Sequence, residues 1–426
     1  MVQRIIESFP VQDKEAFKQQ MLCWANQYSI CCFFDNNAYS SKHHSYEWLV
    51  AVGAVKTLSP AEHKLDVLKY FCAEHKDWLF GHIGYDLKNE IEALTSTHTN
   101  YIGFPDLFFF QPEIVIQSNA NSVSIATLTK DSSEIYSSIV EMPLQKATHL
   151  PQPDIQLRTV KWQYIDTVEK LRNHILRGDC YEINYCIEFF AEDAAIEPLH
   201  VYEQLIKISP NPFSCFYKLR DKYLLCASPE RYIKKTGNTI ISQPIKGTIK
   251  RNTATEEDEN NRQQLLHSEK DRSENVMVVD LVRNDLSKIC KDGSVVADEL
   301  FGIYSFPQVH QMISTVKGEL KDDIDFADII KATFPMGSMT GAPKKRVMEL
   351  IEQYEHTKRG IFSGAVGYID PDGDFDFNVV IRSIMYNETN NYLSYQVGSA
   401  ITFYSNAEDE FEECLLKAKA IEKVLG

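Results

Sequence analysis

Apolar runs typical of strands alternate with helical patterns along most of this chain, and no other feature constrains its fold as strongly. Strand-like runs occupy 28–34, 108–116, 181–190, 223–233 and 239–245. Apolar residues at helical spacing occupy 13–26, 62–74, 165–175, 256–287, 345–354 and 407–424. This alternation predicts a mixed fold of α-helices and large β-sheets.

A polar stretch from 118 to 160 interrupts the alternation. It is rich in Ser, Thr and Asn, and it carries Pro151 and Pro153, which lack the N–H group that a sheet ladder requires. Such a composition favours an extended connector. We therefore predict a boundary near residue 155, between an N-terminal region at 1–155 and a C-terminal region at 156–426.

Charge and composition exclude several classes of function. The 44 Lys and Arg residues against 60 Asp and Glu residues give a formal net charge of −16, which repels a nucleic-acid backbone. No apolar stretch is long enough to span a membrane, and Arg4 and Glu7 stand where a signal peptide would be apolar. We expect a cytoplasmic protein with neither nucleic-acid nor membrane partners. The ten cysteines include no Cys-x-x-Cys pair, which predicts reduced, mostly buried thiols.

Two pairs of carboxylates have a spacing that suits a metal site. Asp271 and Glu274 are three residues apart in one helical pattern, and Glu410 and Glu413 are three apart in another. If the two helix faces meet, the four side chains offer the oxygen ligands that Mg²⁺ prefers. Solvated acidic faces have the same pattern, so both interpretations stay open. Lys417 follows Glu413 by four residues and can pair with it or with a substrate carboxylate.

The segment at 334–344, FPMGSMTGAPK, lies directly before a helical pattern. Backbone N–H groups at the start of a helix attract anions, so this segment predicts a carboxylate or phosphate site. It lacks the Gly-Lys-Ser/Thr sequence of a Walker loop. An ordinary turn rich in Pro and Gly is an equally good interpretation.

Three further residues suit acid–base or anion chemistry. Lys246 lies beside Gly247 at the end of a predicted strand; a partly desolvated lysine can lose its proton and become a nucleophile, although most lysines are inert. Glu230 can act as a general acid if burial raises its pKa, whereas a surface Glu–Arg pair is the simpler alternative. Arg382 lies within an apolar run, where a guanidinium requires a partner such as a carboxylate.

Together these segments resemble the chorismate-utilising enzymes, and within that family the aminodeoxychorismate synthases. The resemblance rests on GDCYEIN at 178–184, SPNPF at 209–213, ASPER at 227–231, PIKGT at 244–248, DRSE at 271–274, VDLVRND at 279–285, the 334–344 segment, GAVGY at 364–368 and IR at 381–382. Before residue 155 only GHIGYDL at 81–87 is recognisable.

The resemblance implies an α+β (mixed α/β) sandwich of two large, mainly antiparallel sheets with helices outside and chorismate with Mg²⁺ in the cleft. It implies that Glu274 and Glu413 bind the ion, and that Asp271 and Glu410 act through its waters. Tyr368 and Arg382 would hold the enolpyruvyl carboxylate. Further contacts to the substrate and the metal site would come from Thr340, Gly341, Gly398 and Lys417.

Lys246 distinguishes members of the family. In the aminodeoxychorismate synthases that the motif resembles, this lysine adds at C2 of chorismate and expels the 4-hydroxyl group before ammonia attacks C4, which gives 4-amino-4-deoxychorismate for para-aminobenzoate synthesis. Glu230 would be the acid that protonates the departing hydroxyl. Anthranilate synthases have alanine here, because ammonia attacks C2 directly. Isochorismate and salicylate synthases need a lysine at the position of Glu182 to activate water.

Four positions depart from the usual pattern of the family. Glu182 replaces a frequent glutamine, and Gln311 stands beside His310 where many members have histidine. Because that histidine is linked to pyruvate elimination, Gln311 fits an enzyme that retains the enolpyruvyl group. Ala400 and Tyr404 replace a glycine and an aspartate and would tighten the cleft.

Ammonia requires a source outside this chain, because the Gly-x-Cys-x-Gly elbow of a typical glutaminase nucleophile is missing. We therefore expect a separate glutamine amidotransferase subunit. Two alternatives stay open: an anthranilate synthase large subunit, which would release pyruvate, and a non-catalytic protein that binds chorismate or an amino acid. The nucleophile, acid and metal ligands together favour an enzyme, because a binding module needs none of them.

Overall fold

The computed structural model describes residues 4–119, 121–128, 130–144 and 150–426. Within these residues the strands are β1 (Ile5–Pro10), β2 (Ile30–Asp35), β3 (Trp48–Val52), β4 (Lys56–Leu58), β5 (Leu79–Ile83), β6 (Leu107–Gln111), β7 (Ile114–Ser118), β8 (Ser122–Thr127), β9 (Gln156–Leu157), β10 (Glu182–Ala191), β11 (Phe213–Leu219), β12 (Lys222–Ser228), β13 (Arg231–Thr236), β14 (Thr239–Gln243), β15 (Ile245–Lys250), β16 (Val296–Ser305), β17 (Val309–Glu319), β18 (Gly341–Ala342), β19 (Ala365–Ile369), β20 (Phe375–Asn378), β21 (Ser383–Asn387) and β22 (Tyr392–Ile401).

The helices of the same residues lie mostly outside the sheets. They are α1 (Lys14–Ala25), α2 (Lys64–Glu74), α3 (Lys88–Glu92), α4 (Ser132–Val140), α5 (Lys161–Leu176), α6 (Pro198–Ile208), α7 (Thr255–His267), α8 (Glu269–Ser287), α9 (Phe326–Thr333), α10 (Lys344–Tyr354) and α11 (Ala407–Leu425). Single 3₁₀ turns occur at Tyr85–Leu87 and Gly337–Met339.

The strands form two large antiparallel sheets. The larger has the order β1-β8-β7-β3-β2-β11-β12-β21-β22-β10-β18, with β9 paired to β10; the smaller has the order β15-β17-β14-β13-β20-β19-β5-β6-β4, with β16 paired to β17. Every neighbouring pair in these orders runs antiparallel. The predicted fold class, with two large antiparallel sheets, is confirmed.

Two apolar cores explain the layering. Successive residues of β11 alternate between them: Tyr217 belongs to a core that also contains Phe377 of the smaller sheet, and Phe216 belongs to a second core. That second core includes buried residues of α1, α5, α6 and α11. The larger sheet is therefore buried on both faces, by the smaller sheet on one and by helices on the other.

Both sheets combine strands from either side of residue 155. In the larger sheet β2 pairs with β11, and in the smaller sheet β5 pairs with β19. The predicted connector at 118–160 contains β8 and α4 rather than only extended chain, and its residues 120, 129 and 145–149 lie outside the described residues. The predicted division into 1–155 and 156–426 therefore does not separate two sheets.

Capping and proline explain where predicted elements were too long. The single helix predicted at 256–287 is α7 followed by α8, because the Ser268 hydroxyl accepts a hydrogen bond from Asp271 N (3.2 Å) and caps α8. The strand predicted at 223–233 is interrupted at Pro229, and that at 239–245 at Pro244, since proline has no N–H for the ladder.

The cysteine prediction is also confirmed. All ten cysteines are free, and every one except Cys72 is buried. Among the helices that the structure describes, none is long and apolar enough to cross a membrane.

Candidate active site

A cavity of about 1140 Å³ opens where both sheets meet α8 and α11. Eight of the residues that the sequence predicted for the site line it: Glu230, Lys246, Asp271, Glu274, Arg382, Gly398, Glu413 and Lys417. The cavity is large enough for a drug-sized ligand, and its walls combine apolar surface with many charged side chains of both signs.

A β-bulge directs Lys246 into this cavity. The pairing of β15 with β17 shifts register between Ile245 and Thr248, and Gly247 within the shift has a φ of 91°. A Cβ atom on Gly247 would lie 2.9 Å from Asp271 Oδ1, so glycine lets β15 approach α8 closely. Lys246 is only 9% exposed.

Lys246 is buried, and its carboxylate neighbours favour the protonated ammonium over the neutral amine that a nucleophile requires. Its Nζ donates a hydrogen bond to Glu182 Oε1 at 2.6 Å. Burial by itself lowers the pKa of Lys246, but the carboxylates of Glu182 and Glu274 outweigh burial and raise the pKa above its ordinary value. The free protein therefore presents an ammonium group to the cavity.

Glu230 meets the condition set for a general acid. It is 4% exposed, and burial raises its pKa to about 7, against the opposing charges of Lys246 and Arg382. The alternative of a surface pair with Arg231 is wrong, because Arg231 binds Asp376 instead (Nε–Oδ1, 2.9 Å). A carboxyl group that is half protonated at neutral pH can donate a proton to a leaving group.

Arg382 differs from the prediction in its backbone and in its partner. It lies between β20 and β21, not inside a strand, and its φ is 50°. Burial lowers the pKa of its guanidinium to about 10, with Glu230 opposing the shift. Within the described residues no carboxylate lies at ion-pair distance from Arg382, so the guanidinium is available for an anionic ligand.

The two carboxylate pairs lie on neighbouring helices, and one lysine links the two helices. Lys270 Nζ of α8 lies 3.5 Å from Glu410 Oε1 of α11. Lys417 Nζ lies 2.7 Å from Glu413 Oε1 and donates a hydrogen bond to Gly398 O at 2.7 Å. These ammonium groups supply the positive charge between the helices. In the described residues no group of three His, Cys, Asp or Glu side chains is close enough to hold a metal ion.

Glu274 nevertheless has the properties of a cation ligand. Its Oε1 is buried and has no hydrogen-bond partner among the described residues. Burial raises the pKa of Glu274 to about 7, with Lys246 opposing and Glu182 adding to the shift. In Glu413 burial is opposed by the ammonium groups of Lys417, Lys270 and Lys246, which together lower the pKa. An unpaired buried oxygen on one helix and an ionised carboxylate on the next fit a hard divalent cation.

Tyr368 does not reach the large cavity. It lies on β19 and lines a separate cavity of about 60 Å³ together with Phe34, Tyr46 and Arg231. Its ring centroid is 6.0 Å from that of Phe34, within an aromatic cluster. The alternation of side chains along the strand turns Tyr368 away from the cleft. Its role as a carboxylate ligand is therefore not supported.

Thr340 and Gly341 belong to the wall behind the cavity. The Thr340 hydroxyl donates to Met336 O at 3.1 Å, and Gly341 pairs with Ile183 of β10. A Cβ atom on Gly341 would lie 2.1 Å from Glu182 O, so the glycine serves close packing of two strands. Ser338 and Met339 of the same segment line the cavity instead.

The departures from the family pattern have different outcomes. Gln311 and Ala400 line the cavity, and Gln311 Oε1 is buried without a partner among the described residues. Tyr404 is 89% exposed and does not tighten the cleft. Glu182, for which the sequence offered no role, is 2% exposed and binds Lys246.

Many lining residues were not singled out from the sequence, and three of them are instructive: Lys270, Phe362 and Asn184. Lys270 precedes Glu274 by four residues, and this spacing on one helix face could have identified it. Phe362 precedes the recognised motif at 364–368, and Asn184 ends the motif at 178–184. Neither has a spacing that separates it from ordinary core residues.

Comparison with known proteins assigns the class. The sequence matches the chorismate binding enzyme family over residues 12–423. The crystal structure of anthranilate synthase component I from Streptococcus pneumoniae superposes with a TM-score of 0.77 at 25% identity, covering 90% of this chain and 95% of that one. The chain belongs to the chorismate binding enzyme family and has the fold of its chorismate-utilising members.

Within the family, its similarity extends to aminodeoxychorismate synthases. It is 32% identical over 360 residues to aminodeoxychorismate synthase component 1 of Bacillus subtilis, which covers 81% of this chain and 76% of that protein. It is 35% identical over 362 residues to the chloroplastic aminodeoxychorismate synthase of Arabidopsis thaliana, which covers 80% of this chain. The match spans only 39% of the plant protein's length.

Proposed function

We propose that this chain aminates chorismate at C4 and releases 4-amino-4-deoxychorismate with its enolpyruvyl group intact. The observation that supports this reaction is a buried lysine, Lys246, in the same cavity as Glu230, whose pKa is about 7. A lysine nucleophile and a general acid are the two groups that a covalent displacement at C4 requires. Every described residue that lines the cavity lies in 156–426, which supports this region as the chorismate site.

The protein residues act in sequence. The deprotonated amine of Lys246 bonds to C2 of chorismate, the two ring double bonds each shift by one position, and the C4–O bond breaks. Glu230 gives its proton to the departing hydroxyl, which leaves as water. Ammonia then attacks C4, the double bonds return, and the C2–Nζ bond breaks. Arg382, which has no carboxylate partner of its own among the described residues, binds a substrate carboxylate.

Glu274 and Glu413 would hold Mg²⁺, with Asp271 and Glu410 acting through its waters. Bound there, the ion would offset the negative charge of a substrate carboxylate beside the protein's own carboxylates. The unpaired Oε1 of Glu274 supports this assignment. Lys417 binds both Glu413 and Gly398 O and so fixes the orientation of the Glu413 carboxylate.

Ammonia would come from a separate glutamine amidotransferase, as the designation "component 1" of the Bacillus subtilis relative is consistent with a second component. We place the reaction in the cytoplasm. Buried Gln311, at a position where pyruvate-releasing relatives have histidine, supports retention of the enolpyruvyl group.

Product analysis tests the proposal. Purified protein with chorismate, Mg²⁺ and ammonium is expected to form 4-amino-4-deoxychorismate without stoichiometric pyruvate. Lys246→Ala is expected to lower the amination rate by roughly 10³-fold while chorismate binding persists, because only the nucleophile is lost. Anthranilate with pyruvate would identify an anthranilate synthase instead. Unchanged amination by Lys246→Ala would remove the covalent step.

A further inference from the structure

Glu182 is the buried charged group that the proposed reaction leaves without a role. It begins β10, is 2% exposed, and accepts a hydrogen bond from Lys246 Nζ through Oε1 at 2.6 Å. Its other oxygen, Oε2, is buried with no hydrogen-bond partner among the described residues. A buried carboxylate with one oxygen unpaired is costly, and this cost points to a function for Glu182.

The charge state of Lys246 creates a need that Glu182 can meet. An ammonium group has no lone pair and cannot bond to carbon. Lys246 is held in that form by surrounding carboxylates, and the residue is only 9% exposed where it lines the cavity. The reaction therefore requires a proton acceptor within reach of Nζ.

Position and role select Glu182 among the carboxylates that face Lys246. Glu182, Glu274 and Glu230 each act on its charge, and Lys246 in turn acts on Glu413. Only Glu182 is hydrogen bonded to Nζ among the described residues. Glu230 must itself be protonated to release the hydroxyl, and Glu274 and Glu413 belong to the proposed cation site.

We propose that Glu182 is the proton acceptor that converts the Lys246 ammonium into the nucleophilic amine. This role rests on the function proposed above. One proton passes from Nζ to Glu182 Oε1, the freed electron pair forms the Nζ–C2 bond, and Glu230 protonates the departing hydroxyl.

The second half of the reaction returns both protons. When ammonia displaces Lys246 from the ring, the C2–Nζ electron pair returns to nitrogen and Nζ recovers its proton from Glu182. The new C4 ammonium gives a proton to Glu230. Chorismate and ammonia become 4-amino-4-deoxychorismate and water, with both carboxyl groups restored. A proton that stays within the pair makes lysine activation independent of the solvent pH.

Intact mass measurement isolates the covalent step. With chorismate and no ammonia, the wild-type protein is expected to gain the mass of one chorismate less one water. Glu182→Gln keeps the size and an acceptor oxygen but cannot take up a proton, so the adduct is expected to form roughly 10²-fold more slowly at neutral pH. Absence of the adduct in the wild type would overturn both the covalent function and this role. Formation at the wild-type rate in Glu182→Gln would overturn this role alone.

The pH dependence separates proton transfer from a structural role. In Glu182→Gln the lysine proton must leave to solvent, so the ratio of the variant kcat to the wild-type kcat is expected to rise about tenfold per pH unit between pH 6 and 8. The falling limb from Glu230 and the changing ammonia fraction are common to both proteins and cancel in the ratio. A ratio that stays constant with pH would overturn the proposal.

Two variants control the experiment. Glu188→Gln removes another buried, ion-paired carboxylate of β10, bound to Arg158 at 2.5 Å outside the large cavity, and its kcat ratio is expected to stay constant with pH. Glu182→Asp retains a carboxylate, so a slower rate with a constant ratio is expected. If Glu182→Gln does not fold, a rising ratio in Glu182→Asp would overturn the role.

Discussion

Two buried ion pairs that both contact β10 differ in how many of their polar atoms are hydrogen bonded. Arg359 binds both oxygens of Glu355 (Nε–Oε2, 2.9 Å; Nη2–Oε1, 2.6 Å) and donates further to Met339 O and Asn184 O. The Lys246–Glu182 pair has a single hydrogen bond between its members, and Glu182 Oε2 has no partner within the described residues. We call the fully hydrogen-bonded Arg359–Glu355 pair the closed pair. We call the Lys246–Glu182 pair, in which one carboxylate oxygen has no partner among the described residues, the open pair.

The difference separates a structural role from a chemical one. The Arg359 network ties β10 to the segment before β18, because its acceptors are backbone carbonyls of both. A fully paired buried network fixes one arrangement, whereas an incompletely paired one retains sites for a ligand or a proton. The closed pair therefore fixes the position of β10, the strand that begins with Glu182 of the open pair.

The largest expected effect comes from breaking the closed pair. Arg359→Met leaves the Glu355 carboxylate buried without its counter-charge, which we expect to destabilise the protein by about 3–5 kcal/mol. Urea unfolding monitored by circular dichroism measures the loss. Arg262→Met, which removes an exposed surface pair with Glu259, should cost at most about 1 kcal/mol. Equal losses in the two variants would contradict the structural role of Arg359.

Glu230 lines the same cavity as Lys246 of the open pair, and its role as general acid is tested by the pH dependence of the reaction. Because the pKa of Glu230 is about 7, the protonated acid diminishes as pH rises through 7. We expect kcat/KM for chorismate to fall about tenfold per pH unit above that value at a constant NH₃ concentration. Glu230→Gln is expected to lose this limb together with roughly 10²-fold in rate, and its stability should change little.

The matched control for the acid is a carboxyl outside the cavity. Glu188→Gln removes another buried, raised-pKa glutamate, so its pH profile should keep the limb at pH 7. A Glu230→Gln variant that retained the limb would assign it to another group, of which Glu274 is the nearest candidate in pKa.

Much of this architecture was predictable from local sequence. The strand and helix patterns and the paired spacing of Asp271 with Glu274 and Glu410 with Glu413 are local properties, and each pair lies within one helix as predicted. The fold class followed from motifs, since alternation alone does not define sheet order. Two prolines and a serine cap divide elements that the apolar periodicity had predicted as continuous.

The predictions that the structure does not support concern how individual side chains are paired and oriented, not where the segments lie. Glu182 and Lys246 are 64 positions apart, so no spacing rule could reveal their pairing or the charge it imposes on the lysine. Tyr368 was assigned from a motif, but strand alternation directs its side chain to another cavity. Thr340 was assigned in the same way, but its hydroxyl donates a hydrogen bond to Met336 O. A motif identifies a segment more reliably than it identifies which side chain faces the ligand.

The smallest expected effect comes from Arg382, whose guanidinium has no carboxylate partner among the described residues. Arg359, by contrast, is hydrogen bonded to Glu355 and to two backbone carbonyls. Arg382→Gln should raise KM for chorismate by roughly 10- to 100-fold, the worth of a hydrogen bond to a charged group, and should change kcat less. Its stability should not fall, because Arg382 has no carboxylate partner among the described residues to leave unpaired. Arg382→Lys retains the positive charge but lacks the paired N–H donors with which a guanidinium binds a carboxylate, so partial recovery of KM is expected. Steady-state kinetics would contradict the assignment if KM in Arg382→Gln matched the wild type, since a substrate carboxylate would then bind elsewhere.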